Sequence, residues 1–174
     1  MPEAASHLEK VSFAQINLPD QSYRWAVIKG FTWVGDGQSG LDLLAALCEH
    51  PAFKDHYCAP GEDGIGEEPL HGPYRLDALS TTTFVLIRQD EALKLLDAWL
   101  MESGDDEGEP TDEGVARALN PVRELLQHEA PIYYLPDLGE AAQHDWGWVL
   151  WHFREWVVID HGQRKLHSIA CGLD

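Results

Sequence analysis

The chain has 174 residues, of which 44% are hydrophobic and 24% charged, a composition that supports one domain with its own core. Thirty acidic residues against 12 basic ones give a net charge of −18. A field of that sign repels nucleic acid and anionic membrane surfaces and draws basic proteins and cations, so direct nucleic-acid binding and membrane association are excluded as expectations. There is no apolar run of about 18 residues to span a bilayer, and MPEAASHLEK lacks the basic and apolar regions of a secretory signal. Cys48, Cys58 and Cys171 are an odd number without framework spacing, which fits a reducing cytosol and a cytoplasmic location.

Residues 1–20 have no clear period and are expected to be extended or frayed. YRWAVIKGFTWVG, 23–35, is rich in β-branched and aromatic residues and predicts a strand or a bent strand pair, with Gly30 as a bulge or kink. LDLLAALCEH, 41–50, predicts a helix from the spacing of Leu41, Leu44, Ala45 and Cys48. Ser39 and Asp42 form a capping box at its start, and Pro51 stops it. Residues 51–79 predict a long irregular loop with Glu62, Asp63, Glu67 and Glu68 exposed. STTTFVLIR, 80–88, predicts a strand. QDEALKLLDAWLME, 89–102, predicts a helix with Asp90 as N-cap and Leu93, Leu96, Trp99 and Leu100 on one face. Residues 102–113 hold seven acids and no base, a second acidic loop. GVARAL resumes as helix, and Asn120-Pro121 restarts it through His128. IYYLPD, 132–137, predicts a short strand.

HDWGWVLWHFREWVVIDHG, 144–162, holds four of the seven tryptophans. Alternation places Val149, Trp151, Phe153, Val157 and Ile159 on one face, and Trp148, Leu150, His152, Arg154 and Trp156 on the other. With the turn at 160–163 and RKLHSIAC returning, this predicts a long C-terminal β-hairpin. The first face is expected in the core, with Trp151 a core residue. The second is too apolar for water and calls for a helix or a partner to cover it. The fold class is therefore α+β: one domain over 1–174, a mainly antiparallel sheet ending in that hairpin, and about three helices.

Few motifs point to chemistry. GDGQSG, 35–40, fits G-x-G-x-x-G between a strand and a helix. However, no parallel strand with a terminal acid follows, and Asp36 opposes a phosphate, so a turn into a capped helix is expected. Cys48, His50, His56 and Cys58 fall within eleven residues and are soft enough for zinc, but C-x-H…H-x-C is not a zinc-site spacing. No metal or cofactor is assigned, and these four stand as weak candidates. His152, Glu155, Asp160, His161 and His167 gather on the hairpin. Glu155 falls on the apolar face, where it is expected to lie near the sheet edge or to pair with an arginine. No nucleophile motif is present.

In size and charge alone the chain resembles small bacterial immunity proteins against nuclease toxins and polyanion-mimicking anti-defence inhibitors. That resemblance rests on no motif and assigns no residue a role. It implies a small acidic cytosolic protein that inhibits or neutralises a basic protein partner. Asp105, Asp106, Glu107, Glu109, Glu67 and Glu68 would steer the encounter, and Trp148 and Trp156 would anchor it. The alternatives are a metal-dependent hydrolase built on the His/Asp/Glu-rich segments, and a structural homodimer joined through the apolar hairpin face.

Overall fold

Ten residues near the N-terminus, Leu8–Asn17, form a strand (β1), although they alternate too weakly to be recognised in the sequence. The computed structural model describes residues 7–19, 23–58, 68–102 and 113–173. Strand β2 (Arg24–Trp33) pairs antiparallel with β1. The register shifts between Lys10 and Ser12, so the bulge expected at Gly30 lies in the neighbouring strand. A Cβ at Gly30 would fall 2.2 Å from Ser12 Oγ, so any other residue there would have to turn that hydroxyl away.

Helix α1 (Gly40–Glu49) starts at the predicted capping box. Asp42 N–H donates to Ser39 Oγ at 3.1 Å, and Ser39 N–H to Asp42 Oδ2 at 2.9 Å. The Ser39 bonds hold the Asp42 carboxyl below its usual range. Residues 35–40 form the turn into this helix, with Gly35 and Gly37 at φ of 98° and 86°. The described parts of 51–79 are more ordered than a loop. A 3₁₀ turn spans Pro51–Phe53, a small hairpin pairs β3 (Leu70–His71) with β4 (Tyr74–Arg75), and a second 3₁₀ turn spans Leu76–Ala78.

Residues 80–88 contain less strand than expected. Ser80 caps a 3₁₀ turn, Thr81–Thr83, and only β5 (Val85–Ile87) is extended, because the hydroxyls of Ser80 and Thr83 bond back to the local backbone. Helix α2 (Gln89–Met101) begins after Arg88, not Asp90, and Asp90 sits in the first turn, 2.7 Å from Arg88 Nη2. Helices α3 (Glu113–Ala118) and α4 (Asn120–Gln127) follow, with Pro121 in the first turn of α4.

Strand β6 (Ile132–Leu135) precedes the terminal hairpin of β7 (Trp151–Asp160) and β8 (Lys165–Leu173). The six-stranded sheet has the order β1-β2-β8-β7-β6-β5, and every pairing is antiparallel.

Both faces of the sheet are covered. On one lie Val27, Phe31, Val157, Ile159, Leu166 and Ala170, under α1 and the 51–57 segment. On the other lie Ala26, Ile28, Trp156, Val158, Ile169 and Cys171, under α2, α3 and α4. This answers what covers the second hairpin face: Leu96, Trp99, Val122 and Leu126 pack there, and Trp156 is fully buried among them. Trp156 is thus a core residue and not a surface anchor. Trp151 is 57% exposed and not in the core. Residues Gly147–Val149 form a 3₁₀ turn, and the register shifts between Trp151 and Arg154 with His152 at φ 52°. Simple alternation therefore fails at the start of β7.

Candidate functional site

Glu155 is fully buried, and its partners are neither solvent nor arginine. His71 Nε2 lies 2.5 Å from Glu155 Oε2, and Ser168 Oγ donates to Oε1 at 3.1 Å. The other nitrogen of His71, Nδ1, sits 2.5 Å from the carbonyl of Phe53. A carbonyl oxygen only accepts, so Nδ1 donates. His71 also stacks on the Phe53 ring with centroids 3.7 Å apart.

A second pair lies alongside. Lys29 Nζ donates to Asp55 Oδ2 at 2.6 Å and to the Ala52 carbonyl at 2.7 Å, and Asp55 Oδ1 accepts from Tyr57 N–H at 2.8 Å. Lys29 is the register partner of Ser168 on β8, so both pairs stand on adjacent rows of one sheet face. Burial pulls the Lys29 ammonium below its ordinary pKa, and Asp55 opposes that pull. Burial pushes the Tyr57 phenol well above its ordinary value, with Glu155 and Asp55 adding to the effect.

Buried ions gain from geometry only when each has a partner, and here the partners come from residues 52–57 and from His71. The network therefore fastens those two pieces of chain to the sheet. Sequence reasoning singled out Glu155 but missed Asp55 and His71, which sit in a stretch whose neighbours gave no period, and Lys29, which lies in the predicted strand with Trp25, Val27, Phe31 and Trp33 on the same face.

The fastening reaches the surface through β3 and β4. Gly72, next to His71, has φ 54°, and a Cβ there would lie 2.7 Å from the Phe153 ring. Gly72 O accepts from His144 Nε2 at 2.9 Å, and Pro73 O accepts from His144 N–H at 3.2 Å. Gly147 packs so close to Pro73 that a Cβ would meet its carbonyl at 2.2 Å. Loop 144–150 is thus seated on the β3–β4 hairpin, which is seated on the buried network.

This loop displays Trp148, 66% exposed, beside Trp151 at the strand start. It also forms one wall of a groove of about 390 Å³ lined by Glu68, Leu70, Arg75, Asp77, Asp145 and Trp146, among others. At the same end of β7, Arg154 pairs with Glu102 Oε1 at 2.5 Å, and His152 Nδ1 lies 2.9 Å from Glu102 Oε2. Glu102 follows α2 and opens the acidic segment of the sequence, so the chain enters that segment beside His152 and Arg154, in the first residues of β7, which begins at Trp151. Among the sequence-predicted site residues, Glu68 and Trp148 are exposed. Asp105, Asp106, Glu107, Glu109 and Glu67 lie outside the described residues.

The remaining candidates are dispersed. His50 Nδ1 accepts from Ala52 N–H and His56 Nδ1 from Cys58 N–H, both at 3.0 Å. Cys48 is half-buried with its thiol pushed up to about 12 by burial. Among the described residues no three His, Cys, Asp or Glu side chains come together to hold a metal ion, so Cys48, His50, His56 and Cys58 are not assembled as a ligand set. The hairpin group also separates. Asp160 takes His128 Nε2 at 2.7 Å and Gln163 N–H at 2.9 Å, and His161 meets the Trp33 ring edge-on at 5.9 Å. His167 lines a different groove with Ser12, His128 and Lys165.

No protein-family model, curated protein or solved structure matches the chain. Among the described residues no helix is long and apolar enough to cross a membrane.

Proposed function

We propose that this protein is an acidic binding protein that docks on a basic protein partner and neutralises it, in the manner of an immunity protein or an anti-defence inhibitor. The observation that carries the reading is that exposed Trp148 and Trp151 stand just before and at the start of β7, the end of the strand at which His152 and Arg154 hold Glu102, where the acidic stretch of the sequence opens. Tryptophans left in water are costly unless a partner covers them, and they rank among the strongest binding anchors. Carboxylates around them raise the association rate with a basic surface more than they raise final affinity. The chain charge of −18 acts in the same direction.

The test is capture of partners at low ionic strength, elution by a salt step, and stopped-flow association of the eluted partner with wild-type protein and with the Asp105→Lys, Asp106→Lys, Glu107→Lys triple variant. The expected result is a basic partner whose association slows steeply with salt and slows roughly tenfold or more in the variant, with the variant's melting curve unchanged. Salt-insensitive self-association as the only result would replace this reading with a homodimer joined through Trp148 and Trp151.

A further inference from the structure

We infer that the groove beside Trp146 is a socket for a single arginine side chain of the partner. The inference rests on the basic-partner reading above and names the group that the surface takes. Among the described residues the walls carry three carboxylates, Glu68, Asp77 and Asp145, against one cation, Arg75. That cation is already engaged: Arg75 Nε donates to Asp77 Oδ1 at 3.1 Å, and Nη1 donates to the carbonyls of Ala141 at 2.9 Å and Gln143 at 3.2 Å. The groove therefore has negative charge left to balance.

A second observation is independent of the charges. His144, nine-tenths buried in the same wall, donates from Nε2 to the Gly72 carbonyl, and its Nδ1 is buried with no hydrogen-bond partner. In the neutral ring that nitrogen is an acceptor. The unbalanced carboxylates call for a ligand rich in donors, and the unmet Nδ1 lies within the wall behind them, closed to solvent.

Trp146 selects among cations. Its ring is held edge-on against His144, centroids 4.4 Å apart, and against His56 at 5.5 Å. It stands as a fixed aromatic wall next to Asp145. A guanidinium stacks on an indole and donates through a planar fork to carboxylates, whereas an ammonium is a compact, strongly hydrated point charge. Pro69 and Leu70 complete the lining with apolar surface suited to the methylene stem.

The probe is acetyl-Gly-Arg-Gly-amide, with its citrulline counterpart as the neutral isostere and its lysine counterpart as the alternative cation. Each is titrated at low salt into isotope-labelled protein while the tryptophan indole N–H and Asp145 amide resonances are followed. The expected result is saturable movement of Trp146 and Asp145 with the arginine peptide, weaker movement with lysine and none with citrulline. Asp145→Asn and Glu68→Gln, both at exposed positions, should each weaken binding roughly threefold to tenfold. The assignment is overturned if citrulline or lysine moves Trp146 as arginine does, or if the arginine peptide leaves Trp146 and Asp145 unmoved. Failure here alongside a salt-sensitive partner would remove the socket and keep the basic-partner reading. Saturation at Trp146 without any basic partner would remove that reading and keep the socket.

Discussion

The two faces of the central sheet are both buried, and they are held by different physics. The face under α2 and α4 is joined at its centre by apolar contact, with ion pairs at its rim where Glu102 meets Arg154 and His128 meets Asp160: Trp156 and Trp99 sit at 0% exposure, and their indole N–H groups are buried without partners. The face under α1 carries Lys29, Asp55, His71, Glu155 and Ser168 at its centre. Apolar packing is non-directional and tolerates repacking, whereas a buried ion demands one partner in one place. The apolar face joins regular helices, which satisfy most of their own backbone hydrogen bonds. The polar face holds a segment with little regular structure, and that segment seats the tryptophan loop.

The contrast is open to breaking, and the largest effect is expected on the polar face. Glu155→Ala should cost about 3–5 kcal/mol by leaving His71 buried and unpaired. It should also shift the Trp146 and Trp148 indole resonances, since the loop rests on the same network. A loss below about 1 kcal/mol in urea unfolding would show that the network does not fasten the segment. On the apolar face Leu96→Ala should cost about 3 kcal/mol through cavity formation and leave those indole resonances in place. Movement of the loop in this variant would dissolve the distinction between the faces.

Alkaline pH sharpens the comparison further. Burial pushes the Cys48 thiol up to about 12 from 9.0 and also raises Cys171 and Tyr57. The unfolded chain loses these protons first, so from about pH 9 it binds fewer protons than the native state, and stability falls as pH rises. Lys29 acts in the opposite sense, because its native pKa lies below 10.5 and the unfolded chain holds the extra proton there. Urea midpoints should therefore decline above about pH 9, and Cys48→Ser should flatten the onset. A midpoint that rose through this range would give Lys29 the dominant role. The smallest effect belongs to Trp151→Ala, which should change stability by less than about 0.5 kcal/mol while weakening partner binding. A large drop in the melting temperature would return Trp151 to the core.

The parts of this fold visible in the sequence are those in which local periodicity and tertiary environment agree. The α1 capping box, the apolar stripe Leu96-Trp99-Leu100 and the terminal hairpin all follow from spacing. Strand β1 was hidden because it lies at the sheet edge, where only Leu8 is fully covered and the bulge near Val11 interrupts what alternation exists. The two faces of β7 could be written down, but its first residues could not, since the irregularity between Trp151 and Arg154 moves Trp151 outward. The network was legible in the sequence at Glu155 and equally at Lys29, each a charge set among apolar strand neighbours at every second place, although only Glu155 was singled out. His71 and Asp55 come from a stretch with no repeat, and their role exists only once the chain is folded.

The strand order also bears on behaviour at high concentration. A sheet ends in two rows of backbone groups that another chain could extend, and long straight edges invite fibril-like stacking. One edge here is β5, only three residues long. The other is β1, bent by its bulge and carrying Glu9 and Lys10. β5 is too short to template strand addition, and the bulge and charges interrupt β1 at its N-terminal end, so self-association through the edges is confined to the run 12–17 and elsewhere should respond to changes at Trp148 and Trp151.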